Sequence, residues 1–334
     1  MNRFLCGLAC FVPVLAVDIS PTSARSADPL PSWNQGAAKT ALLDYVDRVT
    51  DTSGPDFVPE AERIAVFDND GTLWPENPLP FQLAYAMDRL RQLVAEQPDL
   101  KDDPVVQAAL QGDLETLVAG PRYEGLVHIM DLTHAGITTE EFRNRVTRWM
   151  GTARHPRFDR RYDQLAYQPM LELLAYLRAH GFRTWIVSGG GVDFMRAFAE
   201  RVYGIPPEQI VGSTALTVYE LRDDGPVLVK TMEDVFVDDK GGKPAGIHQF
   251  IGRRPIACFG NSDGDKEMLE YTTIGNPHPA LGLIVHHTDS EREYAYDSKP
   301  QSSGKLARAL QDAPSRGWIV VDMQQDWNRV FTSD

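Results

Sequence analysis

Short apolar runs recur along the 334-residue chain at 64–67, 182–187, 209–211, 255–259, 281–285 and 318–321, most of them bounded by glycine, proline or polar residues. Runs of this length predict strands buried on both faces. Between most of them the pattern changes to the spacing of amphipathic helices, as at 192–203 and 306–313, and an earlier helix is expected over Ala41, Leu42, Tyr45, Val46 and Val49. This alternation predicts an α/β fold, a doubly wound, mostly parallel, Rossmann-like sheet with helices on both faces.

Two interruptions break the rhythm. More than a hundred residues separate the first run from the second, and helical patterns at 81–96, at 105–119 and from Thr138 fill the gap, with Thr138 and Glu141 spaced as a capping box. Residues 75–165 are therefore expected to form a helical cap over the sheet edge, leaving 27–74 and 166–334 as the core. A cap over a polar site excludes water and strengthens its electrostatics. The second interruption, 216–237, alternates apolar and polar positions and predicts a β-hairpin turning at Asp224-Gly225.

The first residues read differently. A basic start at Arg3, an apolar run over 4–17 and small residues at Ala24 and Ser26 predict a secretory signal cleaved after Ser26, and hence a periplasmic or secreted protein with no membrane attachment after cleavage. With 47 acidic against 33 basic residues the formal charge is −14. That balance argues against nucleic-acid and anionic-membrane surfaces, which reward clustered Lys and Arg. Attraction for an anionic substrate must then come from a local cation. Two of the three cysteines fall in the signal, so Cys258 is expected as a lone buried thiol with no disulfide partner.

The candidate chemistry sits at strand ends. In Phe67-Asp68-Asn69-Asp70-Gly71-Thr72-Leu73 two carboxylates stand two residues apart where a strand runs out into a glycine turn, so both point into one crevice. One can attack phosphorus while the other carries a proton, with a hard cation between them and the phosphate. Ser188-Gly189-Gly190-Gly191 follows the second run and offers a hydroxyl and backbone amides to an anion. Lys243, in a glycine-rich loop at a helix start, asks for a phosphate or the Asp68 carboxylate as partner, with Lys240 and Lys230 as alternatives. Gly260-Asn261-Ser262-Asp263-Gly264-Asp265 gathers oxygen ligands suited to Mg²⁺ after a fourth run, some of which are also placed to cap a helix. His287 and Asp289, after the run at 281–285, are placed near the same edge or in a loop bonded to itself.

These four motifs, in this order, resemble the haloacid dehalogenase superfamily of phosphatases over Ile64 to Val285, and the stretch from Val187 to Gly191 is similar to phosphoserine phosphatases within it. The resemblance implies an aspartyl-phosphate on Asp68, general acid and base work by Asp70, phosphate contacts at Thr72, Ser188, Gly189 and Lys243, and Mg²⁺ held by Asp68, Asp70, Asn261 and Asp265. It implies a small phosphorylated substrate and a cap of the family's first type. One departure stands out: the fourth motif usually reads Gly-Asp-x-x-x-Asp, and Asn261 occupies the place of an aspartate. Glu76, Arg122 and Tyr123 are candidate contacts for the alcohol half. The competing readings are a phosphomutase, which shares the aspartate pair, and a non-catalytic binder of phosphorylated ligands; a dehalogenase has no need of Asp70.

Overall fold

The computed structural model describes residues 28–332 apart from 118, 121 and 122, so the expected signal segment and Arg122 lie outside the described residues. The main sheet consists of β1 (Ile64–Phe67), β2 (Arg183–Gly191), β3 (Ile210–Ser213), β6 (Ala257–Gly260), β7 (Leu281–His286) and β8 (Ile319–Asp322), while β4 (Thr217–Arg222) and β5 (Gly225–Lys230) pair separately as a hairpin. Its order is β3-β2-β1-β6-β7-β8 with every pair parallel. This is the doubly wound arrangement predicted from the apolar runs, with the chain reversing direction across the sheet between β1 and β6, where such folds open a crevice beyond the strand ends.

Alternate strand residues feed two cores. Ala65, Phe67, Ile186, Leu283 and Val285 meet Leu42, Val46 and Val49 of the helix Ala37–Thr50 and Leu173, Leu174 and Leu177 of Gln168–Ala179. On the other face Ile64, Val66, Val187, Cys258 and Ile284 meet Met268 and Leu269 of Lys266–Thr273 and Ala309 and Ala313 of Arg308–Arg316. Phe67 stacks on Phe259 at 4.3 Å, and burying each such ring contributes about 1.5–3 kcal/mol. Cys258 is a free, buried thiol, as expected.

Between β1 and β2 the described residues form helices and no strand beyond isolated bridges, with a smaller apolar core of Ala86, Met87, Leu90, Val94, Val106, Ala109 and Ile129. The helix Phe81–Glu96 links the two units, since its Phe81 and Tyr85 belong to the sheet's core and its Leu90 and Val94 to the insertion's. Thr138 caps Thr139–Thr152 by accepting the Glu141 amide.

Several boundaries moved. The helix expected over 105–119 breaks into Pro104–Gln111 and Leu114–Leu117, because Gly112 takes the left-handed conformation (φ 74°) that ends helices. The one expected over 192–203 divides into Val192–Arg196 and Ala199–Tyr203, Phe198 leaving helical backbone to stack on Trp74 at 4.4 Å. The helix expected at 306–313 lies at Arg308–Arg316. The hairpin turns at Asp223-Asp224, one residue early, with Gly225 (φ 130°) already paired to Arg222.

Candidate active site

Asp68 is the first residue past β1, and its N–H donates to the Phe259 carbonyl at 2.9 Å, carrying the β1–β6 ladder one step further. Its buried carboxylate accepts from Lys243 Nζ at 2.8 Å. The same ammonium donates to Asp265 Oδ1 at 2.5 Å. Burial pushes the Asp68 carboxyl well up against the opposing pull of Lys243, whereas Lys243 is held well above its ordinary value because the two carboxylates outweigh burial. Of the three lysines considered from the sequence, Lys243 is the one brought to Asp68. Lys240 lies on the rim, and Lys230 pairs with Asp193 over the Phe142 ring.

Asp70 lines the same cleft. Trp74 Nε1 donates to its Oδ1 at 2.7 Å, and burial lifts its carboxyl to about 6. Ser188, Gly189 and Gly190 complete the wall facing Asp68 and Lys243, around a cavity of about 580 Å³. The sequence motifs thus converge from β1, β2, the Gly242–Gly246 helix and the turn after β6.

Three expected contacts, Asp265, Thr72 and Asn261, sit elsewhere. Asp265 was expected beside a metal, but Oδ1 is engaged by Lys243 and Oδ2 accepts the amides of Asn261 (2.9 Å) and Ser262 (3.0 Å), so it positions the lysine and the turn from behind the cleft wall. Thr72 was expected to touch phosphate; it is fully buried and donates to Asn261 Oδ1 at 3.1 Å. Asp263 serves as a cap, accepting the amides of Ala307 and Ala309 ahead of Arg308–Arg316.

Asn261 itself is buried, and its Nδ2 donates to Glu76 Oε1 at 2.6 Å. Glu76 lines the cleft with Asp68 and Asp70, whereas Asn261 does not. Tyr296 OH (2.7 Å) and Ser303 Oγ (2.8 Å) also donate to Glu76, yet burial outweighs these donors and the nearby His287 charge, lifting its carboxyl to about 7. His287 is buried too. It donates to the Gly71 carbonyl (2.7 Å) and to Glu293 (2.9 Å), and that carboxylate outweighs burial to hold the imidazole above its usual value. Of the pair proposed from the sequence, His287 therefore buttresses the Asp68–Thr72 turn, while Asp289 accepts the amides of Glu291 and Arg292 within its own loop.

A second cavity of about 290 Å³ adjoins the cleft through Gln82, Leu126 and Met130, and is walled largely by apolar side chains including Phe142, Val192 and Phe194. Tyr123, foreseen as a contact, is on its wall. Gln82 stands at the junction, its Oε1 accepting from Gly191 N at 2.7 Å and its Nε2 lying 3.3 Å from His134 Nε2. Burial drives His134 down to about 3, so its ring is neutral and accepts from Gln82. Trp74, Gln82, His134, Tyr296 and Ser303 escaped the sequence reading; only the short distance of Trp74 from Asp70 along the chain could have flagged one of them.

The donor set fits a hard divalent cation. Asp68 and Glu76 bring two buried carboxyls to one cleft and Asp70 a half-buried third, while the buried ammonium of Lys243 is already shared between Asp68 and Asp265. Among the described residues no three carboxylate, histidine or cysteine groups converge on one point. Mg²⁺ suits such a cleft, because it is held through one or two carboxylates with waters and substrate phosphate supplying the rest.

Fold and cleft together define an α/β enzyme with paired aspartates and a buried lysine at the switch point of its sheet. The family model of the haloacid dehalogenase-like hydrolases matches residues 65–270, and the chain belongs to that family. Among curated proteins none matches. Among solved structures, a conserved protein of unknown function from Anaerococcus prevotii DSM 20548 is 18% identical, with 80% of this chain and 95% of that one covered at a TM-score of 0.51. A protein of unknown function from Bordetella pertussis Tohama I is 17% identical over 78% and 99% of the two chains, with a TM-score of 0.48. A phosphoserine phosphohydrolase-like protein from Francisella tularensis subsp. tularensis SCHU S4 is 18% identical over 76% and 98%, with a TM-score of 0.37.

Proposed function

We propose that the protein is a Mg²⁺-dependent phosphomonoesterase that acts on a small phosphorylated metabolite through an aspartyl-phosphate, and that it works outside the cytoplasm after loss of residues 1–26. One observation carries the reading: the buried Asp68 carboxylate meets Lys243 at 2.8 Å, while Asp70, held to about 6 and oriented by Trp74, shares the cleft.

Phosphate lies against Ser188, the Gly189 amide and Lys243. A carboxylate oxygen of Asp68 attacks phosphorus, the bond to the leaving oxygen breaks with its electron pair, and Asp70 gives that oxygen its proton. A carboxyl with a pKa near 6 holds a proton for this step and takes one back from water in the next. Water then attacks the phosphorus, the bond to Asp68 breaks, and inorganic phosphate leaves with the Asp68 carboxylate restored. Mg²⁺, when bound, offsets the negative charge of phosphate and the acidic cleft. The leaving alcohol faces Gln82 and the adjoining apolar cavity.

Asp68→Asn keeps an acceptor for Lys243 but removes the nucleophile. Turnover of p-nitrophenyl phosphate is expected to fall on the order of 10⁴-fold or more, with circular dichroism unchanged. Residual activity above one tenth of the parent removes Asp68 as nucleophile, and full activity in EDTA removes the cation.

A further inference from the structure

The cleft answers the missing aspartate at 261 with a different side chain. We propose that Glu76 supplies the negative charge on that side of the cation site, with Asn261 as its neutral hydrogen-bond donor, so that the two residues form one unit with its charge moved from position 261 to position 76. This rests on the cation-dependent reading above but concerns residues that reading leaves without a role.

Three observations support it. First, of the two residues it is Glu76 that lines the cleft with Asp68 and Asp70, whereas Asn261 is not part of its lining. Second, the contact between them fixes the charge of the pair. Asn261 Nδ2 and Glu76 Oε1 are 2.6 Å apart, and Asn261 Oδ1 is turned to the Thr72 hydroxyl at 3.1 Å. An aspartate at 261 would set two carboxylates against each other at that distance, and like charges so close in a buried site do not both ionise. Third, the backbone is shaped around the glutamate. A Cβ on Gly304 (φ 85°) would fall 2.0 Å from Glu76 Oε1, and one on Gly71 (φ 79°) would fall 2.3 Å from the same oxygen and 2.1 Å from Asn261 Nδ2. Both turns use the left-handed region that favours glycine, and at both a side chain would evict Glu76. Tyr296 and Ser303 add donors from the same 296–304 segment.

If the charge belongs to the unit, exchanging it within the unit should be tolerated and changing its total should not. The double variant Glu76→Gln/Asn261→Asp keeps one carboxylate and one amide and reverses the hydrogen bond between them. Mn²⁺ binding by electron paramagnetic resonance serves as the readout, with the melting temperature of EDTA-treated protein as a check that each variant folds. Glu76→Gln alone should weaken Mn²⁺ binding at least tenfold at an unchanged or higher melting temperature. Asn261→Asp alone should lower the metal-free melting temperature by several degrees and recover it when Mn²⁺ is added. The double variant should bind Mn²⁺ within about threefold of the parent. Parental Mn²⁺ affinity in Glu76→Gln overturns the inference, as does a double variant that folds but binds no better than the weaker single variant. Because binding is read without turnover, a protein that binds Mn²⁺ through Glu76 yet hydrolyses no phosphate ester keeps this inference and loses the phosphatase reading; failure of the parent to bind Mn²⁺ overturns both.

Discussion

On the two flanks of the turn that carries Asp68 and Asp70, buried carboxylates are held by opposite means. On one flank Asp68 and Asp265 share the ammonium of Lys243, so charge answers charge. On the other, the donors to Glu76 among the described residues are the neutral groups of Asn261, Tyr296 and Ser303, and His287, whose charge also bears on it, is bound to Glu293 and Gly71 instead. The first arrangement binds two carboxylates to one ammonium, which they hold charged well above its ordinary range. The second leaves a carboxyl that titrates near neutrality and can respond to a cation or a phosphate arriving in the cleft.

The largest effect expected from this contrast is at the lysine. Lys243→Met leaves Asp68 and Asp265 as neighbouring buried carboxylates without a counter-charge, a loss of about 3–5 kcal/mol, measured as a drop in the urea midpoint at pH 7. The loss should shrink as pH falls and the Asp68 carboxyl, pushed up by burial, protonates. A change below about 1 kcal/mol would mean that the pair is solvated like a surface ion pair and that the two flanks do not differ in kind.

The second flank should announce itself through pH. Glu76 rises from 4.5 to about 7 on folding, and His287 rises above 6.5. Both folded values exceed the unfolded ones, so the folded state binds more protons across that window. The contribution of Glu76 is complete below pH 4.5 and lost as pH climbs through about 7; that of His287 is complete below 6.5 and lost above its raised value. Lys243, held well above 10.5, changes nothing over the same range. In EDTA the parent should therefore lose stability between pH 5 and 8, and Glu76→Gln should remove on the order of 3 kcal/mol of that fall. Parallel curves for parent and variant would show that Glu76 is ionised throughout and that its donors, neutral as they are, suffice.

The same contrast explains what was legible beforehand. Every strand of the main sheet was visible because parallel strands buried on both faces are short apolar runs, and Asp68, Asp70, Ser188 and Lys243 were visible because each sits where a run ends or a glycine loop begins. Elements broken by tertiary demands were not: Phe198 interrupts its helix to reach Trp74, an attraction across more than a hundred residues that no local pattern carries. Asp265 and Thr72 were assigned to the cleft on motif position alone, and hydrogen bonds behind the wall claimed both. The Glu76 flank was the least legible part, since Glu76, Asn261, Tyr296 and Ser303 come from three separate turns and none forms a local pattern with another.

The finest test asks whether the neutral flank is a set of separate donors or one network. Tyr296 donates to Glu76 Oε1 at 2.7 Å and stacks on His287 at 4.3 Å between ring centres. Tyr296→Phe removes the first contact and keeps the second. If the donors act separately, Asn261 and Ser303 still serve the carboxylate and the loss in metal-free protein should be about 1 kcal/mol, read from urea unfolding at pH 8, where Glu76 is ionised. At pH 5 the carboxyl is protonated and can itself donate, so the loss should become smaller. A loss at pH 8 as large as that of Lys243→Met would mean that Tyr296, Glu76 and His287 hold one another cooperatively, and that neutral donors hold the second flank as firmly as the ammonium holds the first.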